Sequence, residues 1–339
     1  KIRKLKAMQI STIHKAKLIK FAETLIKIII VLLGCWFLYK KIICNPNIAD
    51  LKDTITESFT GRREIIIMIF SLAMMPFNLL LEAFKWKTLI KPLENLSIKR
   101  SYQAIFTGIT AGMFFPNRTG DFLGRIFTLE QSNRIKAAML SFVGNIAQSV
   151  ATISFGCIAL ISFIPSNYKI ISIILTVAII VLLLLIFYNI HILRYLQFLV
   201  PKKYKDKTEE YMNVFVNYNR KELSIILALS IIRYILYCSQ FVLLSWAFNI
   251  PLSYFNIMIP VSLTYLAMMM VPFISMMEIA VRGSVCIMVF DRWFEILGIS
   301  TTYSMMAFSA STMLWIINIA IPAVTGLFLI NKLKFFRKS

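Results

Sequence analysis

PNRTGDFLGR, Pro116 to Arg125, decides how this chain is read. Residues 102–115 before it are mostly apolar, and apolar character resumes at residues 137–164. Arg118, Asp121 and Arg125 therefore fall inside chain that hydropathy assigns to a membrane. An Arg at a bilayer centre costs about 3 kcal/mol on insertion scales, so such residues face a protein interior or a wet cavity. A second stretch, VPFISMMEIAVRG, Val271 to Gly283, repeats the design: Pro272, then Glu278, then Arg282 four residues after the acid. The two stretches read as one intramembrane polar site.

Composition sets the class. Hydrophobic residues make up 58% of 339 and the mean hydropathy is +0.74. Several apolar runs reach the roughly 20 residues that cross a bilayer, and continuous Ile/Leu runs do not fit the alternation of an outer-membrane barrel. The net charge of +21 is spread between apolar runs rather than gathered in one basic domain. It reads as topology signals and anionic-lipid contacts, not as a nucleic-acid surface. Five scattered cysteines without a CxxC, and the lone His14 and His191, indicate neither a disulfide framework nor a metal site, and no cofactor is implied.

The expected fold is all-α: a polytopic integral membrane protein of about seven spanning helices plus two broken or re-entrant helical hairpins, forming a single transmembrane domain over residues 1–339. A basic segment, 1–20, precedes a first span at Phe21 to Ile43. Further spans are expected at Glu64 to Phe84 with a kink at Pro76, Ala137 to Ile164, Ile170 to Tyr188, Leu223 to Phe248, Tyr254 to Phe273 and Tyr303 to Ile330. The motif regions, Tyr102 to Leu129 and Ser275 to Phe290, hold apolar pieces too short to span. They are tolerable at membrane depth only where protein or water covers the backbone. Lys and Arg concentrate at the N-terminal segment, Lys85 to Arg100, Arg134 with Lys136, residues 194–221 and the C-terminus, which predicts both termini cytoplasmic. That assignment requires each motif region to make an even number of crossings. The loop 191–221 reads as a basic interfacial segment resting on anionic headgroups.

If the chain turns helical just after Pro116 and Asn117, Arg118, Asp121 and Arg125 share one face, and the new helix N-terminus favours an anion. Asp121 then neutralises one arginine while the other keeps a planar fork suited to phosphate. Gly120 and Gly124 permit close approach of a backbone or headgroup, and Gly283 follows Arg282 in the second stretch. Two acids against three arginines leave one positive charge for an anionic ligand. Arg233 adds to it, sharing a helical face with Tyr237 and Gln240. Asn145, Gln148 and Thr152 form another polar stripe. Helix-to-helix hydrogen bonding explains such stripes equally well.

At these residues the chain resembles the lysylphosphatidylglycerol synthase transmembrane, or flippase-like, family. FKWKTLI, Phe84 to Ile90, is similar to that family's Arg/Lys-x-x-x-Leu segment around a Trp. PNRTGD resembles its Pro-Gly-Arg-x-Gly-Glu, and VPFISMMEIAVRG its late element ending in Gly-Val-Arg-Glu. Arg125 stands four residues after the acid where three is commoner. Gly283 occupies the usual Glu position, and Glu278 replaces a glycine. The soluble aminoacyl-transferase domain that names the family is not among these residues, so lysyl transfer does not follow. The resemblance implies a bacterial inner-membrane protein that handles an anionic phospholipid or polyprenyl-phosphate between leaflets.

The expectation is a flippase-like lipid transporter or lipid-binding protein, with Arg118, Arg125 and Arg282 on a lipid phosphate and Asp121 and Glu278 positioning them. No ATP-binding loop is present, so movement would be passive or ion-coupled, with Asp121 or Glu278 as proton carrier. The rivals are a membrane-embedded transferase on a lipid-linked substrate and a structural accessory subunit. Paired carboxylates in a polar loop, a histidine base and a metal cluster are lacking, which leaves catalysis without visible machinery. The sequence leaves room for a homo-oligomer.

Overall fold

Runs of Ile, Leu, Phe and Met without turn residues become helices in hydrocarbon, because a helix satisfies its own backbone. The computed structural model describes residues 36, 61–115, 118–129, 134–191, 218–271 and 277–329, and the regular structure among them is all helical. The first expected span, the basic segment 1–20, most of the loop 191–221, and Pro116, Asn117 and Pro272 lie outside the described residues.

Helix α1 is Arg62–Ile90, running through Pro76, whose missing N–H leaves one carbonyl of the preceding turn without its helical donor. It outlasts the expected span by six residues, and the extension carries Lys85 into the protein interior, where it is 2% exposed. Lys85 is therefore not a loop charge that sets topology. Helices α2, Ile98–Gly112, and α3, Asp121–Ile126, flank the first motif turn. Then come α4, Arg134–Leu160, α5, Lys169–Tyr188, and α6, Arg220–Ala247. Helices α7, Tyr254–Met270, and α8, Glu278–Leu297, flank the second motif turn. Helix α9, Tyr303–Trp315, passes through a π-helical turn at Ile316–Ala320 into α10, Ile321–Leu329. Five of these stretches are long and apolar enough to cross a membrane, at Arg62–Ile90, Arg134–Phe163, Ser166–Tyr188, Arg220–Ala247 and Tyr303–Leu329, and α7 is a shorter apolar helix. The chain is an all-α polytopic membrane protein.

Two expectations change. The second motif region is not confined to a short piece, since α8 runs 20 residues, to Leu297. The first does not turn helical at Arg118: α3 begins at Asp121 and lasts six residues, and Arg118 sits before it with φ of 58°. A six-residue helix beginning on its own carboxylate offers no N-terminal anion site.

Side-chain contacts sort the helix ends. At one end of the bundle the Tyr218 hydroxyl donates to the Leu89 carbonyl at 2.5 Å, Tyr188 meets Ser224 at 2.9 Å, and Arg100 donates to the Thr128 carbonyl at 3.0 Å. The last contact joins the start of α2 to the end of α3, so these two helices form a hairpin opening on that end. At the other end Trp293 Nε1 donates to the Asn256 carbonyl at 2.7 Å, and Phe163 packs on Trp293 with ring centroids 5.1 Å apart. Thus α7 and α8 form a second hairpin, opening on the opposite end. Beside the two closed ends, Arg118 of the first hairpin and Met269 of the second line a common space.

Hydrophobic burial does little to hold helices together in lipid, so close packing and internal hydrogen bonds must do so. Gly124 of α3 lies against the Thr107 backbone of α2, where a Cβ would collide with the Thr107 carbonyl oxygen and the Gly108 nitrogen. Thr107 Oγ1 donates across the same contact to the Gly124 carbonyl at 3.1 Å. Thr110 Oγ1 ties α2 to the Ala323 carbonyl of α10 at 2.9 Å. Trp86, Trp315, Phe241 and Phe290 fill the interior, while α5 presents Ile170, Ile174 and Leu182 outward, as a lipid-facing helix should.

Candidate functional site

Glu82 organises the interior. It lies on α1 one turn before Lys85, is 4% exposed, and meets three cations: Lys85 Nζ at 2.7 Å, Arg125 Nη1 at 2.7 Å and Arg233 Nη1 at 3.1 Å. Arg125 also pairs with Asp121 one turn earlier on α3, and its guanidinium lies 5.6 Å from the centre of the Trp86 ring. Arg233 donates from Nε to Asn78 Oδ1 at 2.9 Å and from Nη1 to Gln148 Oε1 at 3.2 Å. One carboxylate thereby fastens α3 and α6 to α1, and Gln148 brings in α4. Removing a partner from such a buried cluster leaves an uncompensated charge.

Arg282 approaches from the other hairpin. Its Nη2 lies 3.4 Å from Glu278 Oε1, one turn earlier on α8, and Glu278 is 0% exposed. Both motif helices therefore open on an acid that pairs with an arginine one turn on. The Nε and Nη1 atoms of Arg282 are buried without hydrogen-bond partners, as is Nε of Arg118. Among the described residues no carboxylate lies within ion-pair distance of Arg118.

These groups share a cavity of about 480 Å³. Lys85, Arg118, Arg125, Arg233 and Arg282 line it, with Glu82 and Asp121, and Asn78, Asn145, Gln148, Thr152 and Asn318 extend its polar wall. Tyr234, Tyr237, Tyr265, Met268 and Met269 form the softer side. A smaller space of about 310 Å³ shares Arg118, Asp121, Arg125 and Met269 and continues toward Ser141 and Ser149 of α4. Arg233 is 13 residues into α6 and Gln148 is 14 into α4, about 20 Å along each helix and near its middle. With Glu278 behind Arg282, five cations face three carboxylates.

Of the residues singled out from sequence, Arg118, Asp121, Arg125, Arg233 and Arg282 all line the cavity. Glu278 stands behind Arg282 rather than on the lining. Gly120 packs on Phe115 and Ala111, Gly124 on Thr107, and Gly283 on the Phe308 ring, so each glycine serves packing between chain segments. Gln240, read with Arg233 and Tyr237, instead links helices: it donates to the Ser71 carbonyl at 2.7 Å and accepts from Asn318 at 2.9 Å. Sequence reasoning missed Glu82 and Lys85. Their signal is LLLEAFKWK, an acid and a lysine three apart on an otherwise apolar helix. Among the described residues no group of three His, Cys, Asp or Glu is placed to hold a metal ion.

The fold and its buried charge cluster define an integral membrane protein with an internal polar cavity. The family model described as the lysylphosphatidylglycerol synthase TM region matches residues 24–284, and the chain belongs to that family, among membrane proteins related to lipid handling. The match takes in both motif turns and the Glu82 cluster. Comparison with curated proteins and with solved structures gave no match.

Proposed function

We propose that the protein binds the phosphate of an anionic lipid in this cavity and moves it between leaflets as a flippase-like transporter. The observation that carries the reading is the meeting of Arg118 and Arg282, from hairpins that enter at opposite ends, in one cavity with unpartnered guanidinium nitrogens. Arg125 and Arg233 are committed to Glu82 and hold the walls, which leaves Arg118 and Arg282 to take the headgroup. Arginine suits this role because its planar fork meets two phosphate oxygens at once. The hairpins act as re-entrant elements, a role that irregular backbone can fill at membrane depth only where protein, water or headgroup covers it. Exposed Met269 and Met270 at the end of α7 give the acyl chains an adaptable edge.

The test is the lipid that copurifies from the native membrane, identified by mass spectrometry. Wild-type protein is expected to carry an anionic phospholipid or polyprenyl-phosphate, and Arg118→Gln to lose most of it while keeping its melting temperature. Retention of the lipid with loss of folded protein would assign the arginines to structure.

A further inference from the structure

Building on the lipid-phosphate reading, we infer that the cavity is matched to a phosphate carrying two negative charges, a monoester, rather than to the single charge of a phosphodiester. The argument is charge balance among the groups on the cavity wall. Glu82 and Asp121 are spent on Arg125, Arg233 and Lys85, and Glu278 on Arg282. Two positive charges remain over the carboxylates among the described residues. An anion entering the cavity would be drawn to this surplus, most strongly when its own charge matches it. One phosphodiester would leave a charge over; one phosphomonoester would leave none.

One surplus charge is Arg118 and the other lies in the Glu82 cluster on the same cavity wall, so both face a ligand held there. The donors without a close partner belong to two arginines on separate hairpins, Nε of Arg118 and Nε with Nη1 of Arg282, although the Tyr237 hydroxyl stands beside the Arg282 guanidinium. A terminal phosphate exposes three oxygens and can accept from both sides, whereas a diester has two free oxygens and a substituent on each flank. Gln148 and Asn145 stand on the wall between the hairpins as neutral donors. The tyrosines Tyr237 and Tyr265 close the Arg282 side, their rings 5.4 Å apart. The same chemistry would accept a lipid phosphomonoester or free inorganic phosphate, and the experiment separates them.

Purified full-length protein in nanodiscs of zwitterionic lipid is titrated at pH 5.5 and 7.5 with phosphatidic acid, phosphatidylglycerol and inorganic phosphate, and binding is read by isothermal calorimetry. The second proton of a phosphomonoester leaves near pH 6, so only its affinity should climb over this range. Phosphatidic acid should bind about tenfold tighter than phosphatidylglycerol at pH 7.5. The gap should shrink at pH 5.5 and vanish in Arg118→Gln, whose side chain leaves no described carboxylate without its cation. Arg282→Gln should behave alike, with melting temperature reporting its fold. Equal affinities for both lipids at both pH values would overturn the inference while leaving the lipid reading intact. Inorganic phosphate binding with the expected pH dependence while neither lipid binds would support the dianion and overturn the lipid reading. No binding by any of the three would overturn both.

Discussion

Glu82 shows how much of a membrane interior can rest on one side chain. Three cations within 3.1 Å are tolerable there only because the carboxylate is ionised and shared. Glu82→Gln should therefore cost about 3–5 kcal/mol, read as a large fall in melting temperature of the detergent-solubilised protein. Arg118→Gln should leave the melting temperature within a few degrees of wild type, because Arg118 forms no ion pair among the described residues. The contrast between the two variants separates scaffold from site. At this scale the sequence is informative where a charge interrupts a long apolar run, which exposed Arg118, Asp121, Arg125, Arg233 and Arg282. It is silent at Glu82 and Lys85, because they fall where a predicted span gives way to a positive loop and Lys85 reads there as a topology signal. Only the continuation of α1 to Ile90 turns the pair inward.

At the scale of elements, the hairpins depend on contacts that admit no added volume. Gly124→Ala forces a methyl group into the Thr107 backbone and should destabilise by about 1–3 kcal/mol, with loss of copurified lipid as Arg125 shifts away from Glu82. Gly298, with φ of 67° and open space around it, should by contrast cost only backbone strain on substitution by Ala, about 1 kcal/mol on the same thermal assay. The helices themselves were legible from apolar runs and charge breaks. The start of α3 was not: Arg118 takes up a left-handed backbone conformation because the turn must reverse α2 onto α3, and that demand is tertiary. The extent of α8 was hidden because Asp291, Arg292 and Glu295 lower its hydropathy although the helix continues to Leu297.

Across the whole molecule, two hairpins opening on opposite ends contribute residues to one cavity; under the proposed transport role that arrangement would serve alternating access. The arrangement predicts cross-links. Cysteines at Phe163 and Trp293 should join α4 to the open end of the second hairpin, and cysteines at Arg100 and Thr128 should close the first. Both contacts are made by long side chains, so a bismaleimide rather than a direct disulfide should link each pair, read as a mobility shift on a denaturing gel. Composition and charge spacing pointed to residues that line one internal cavity, but not to α1 as the source of its central acid, because a lone sequence does not say which helices are neighbours. The most direct measurement is an experimental density map of the protein extracted with its native lipids. The account predicts phosphate-sized density in hydrogen-bond reach of both Arg118 and Arg282, about 3 Å from their guanidinium nitrogens. A map in which those two side chains lie far apart, each facing bulk water, would contradict it.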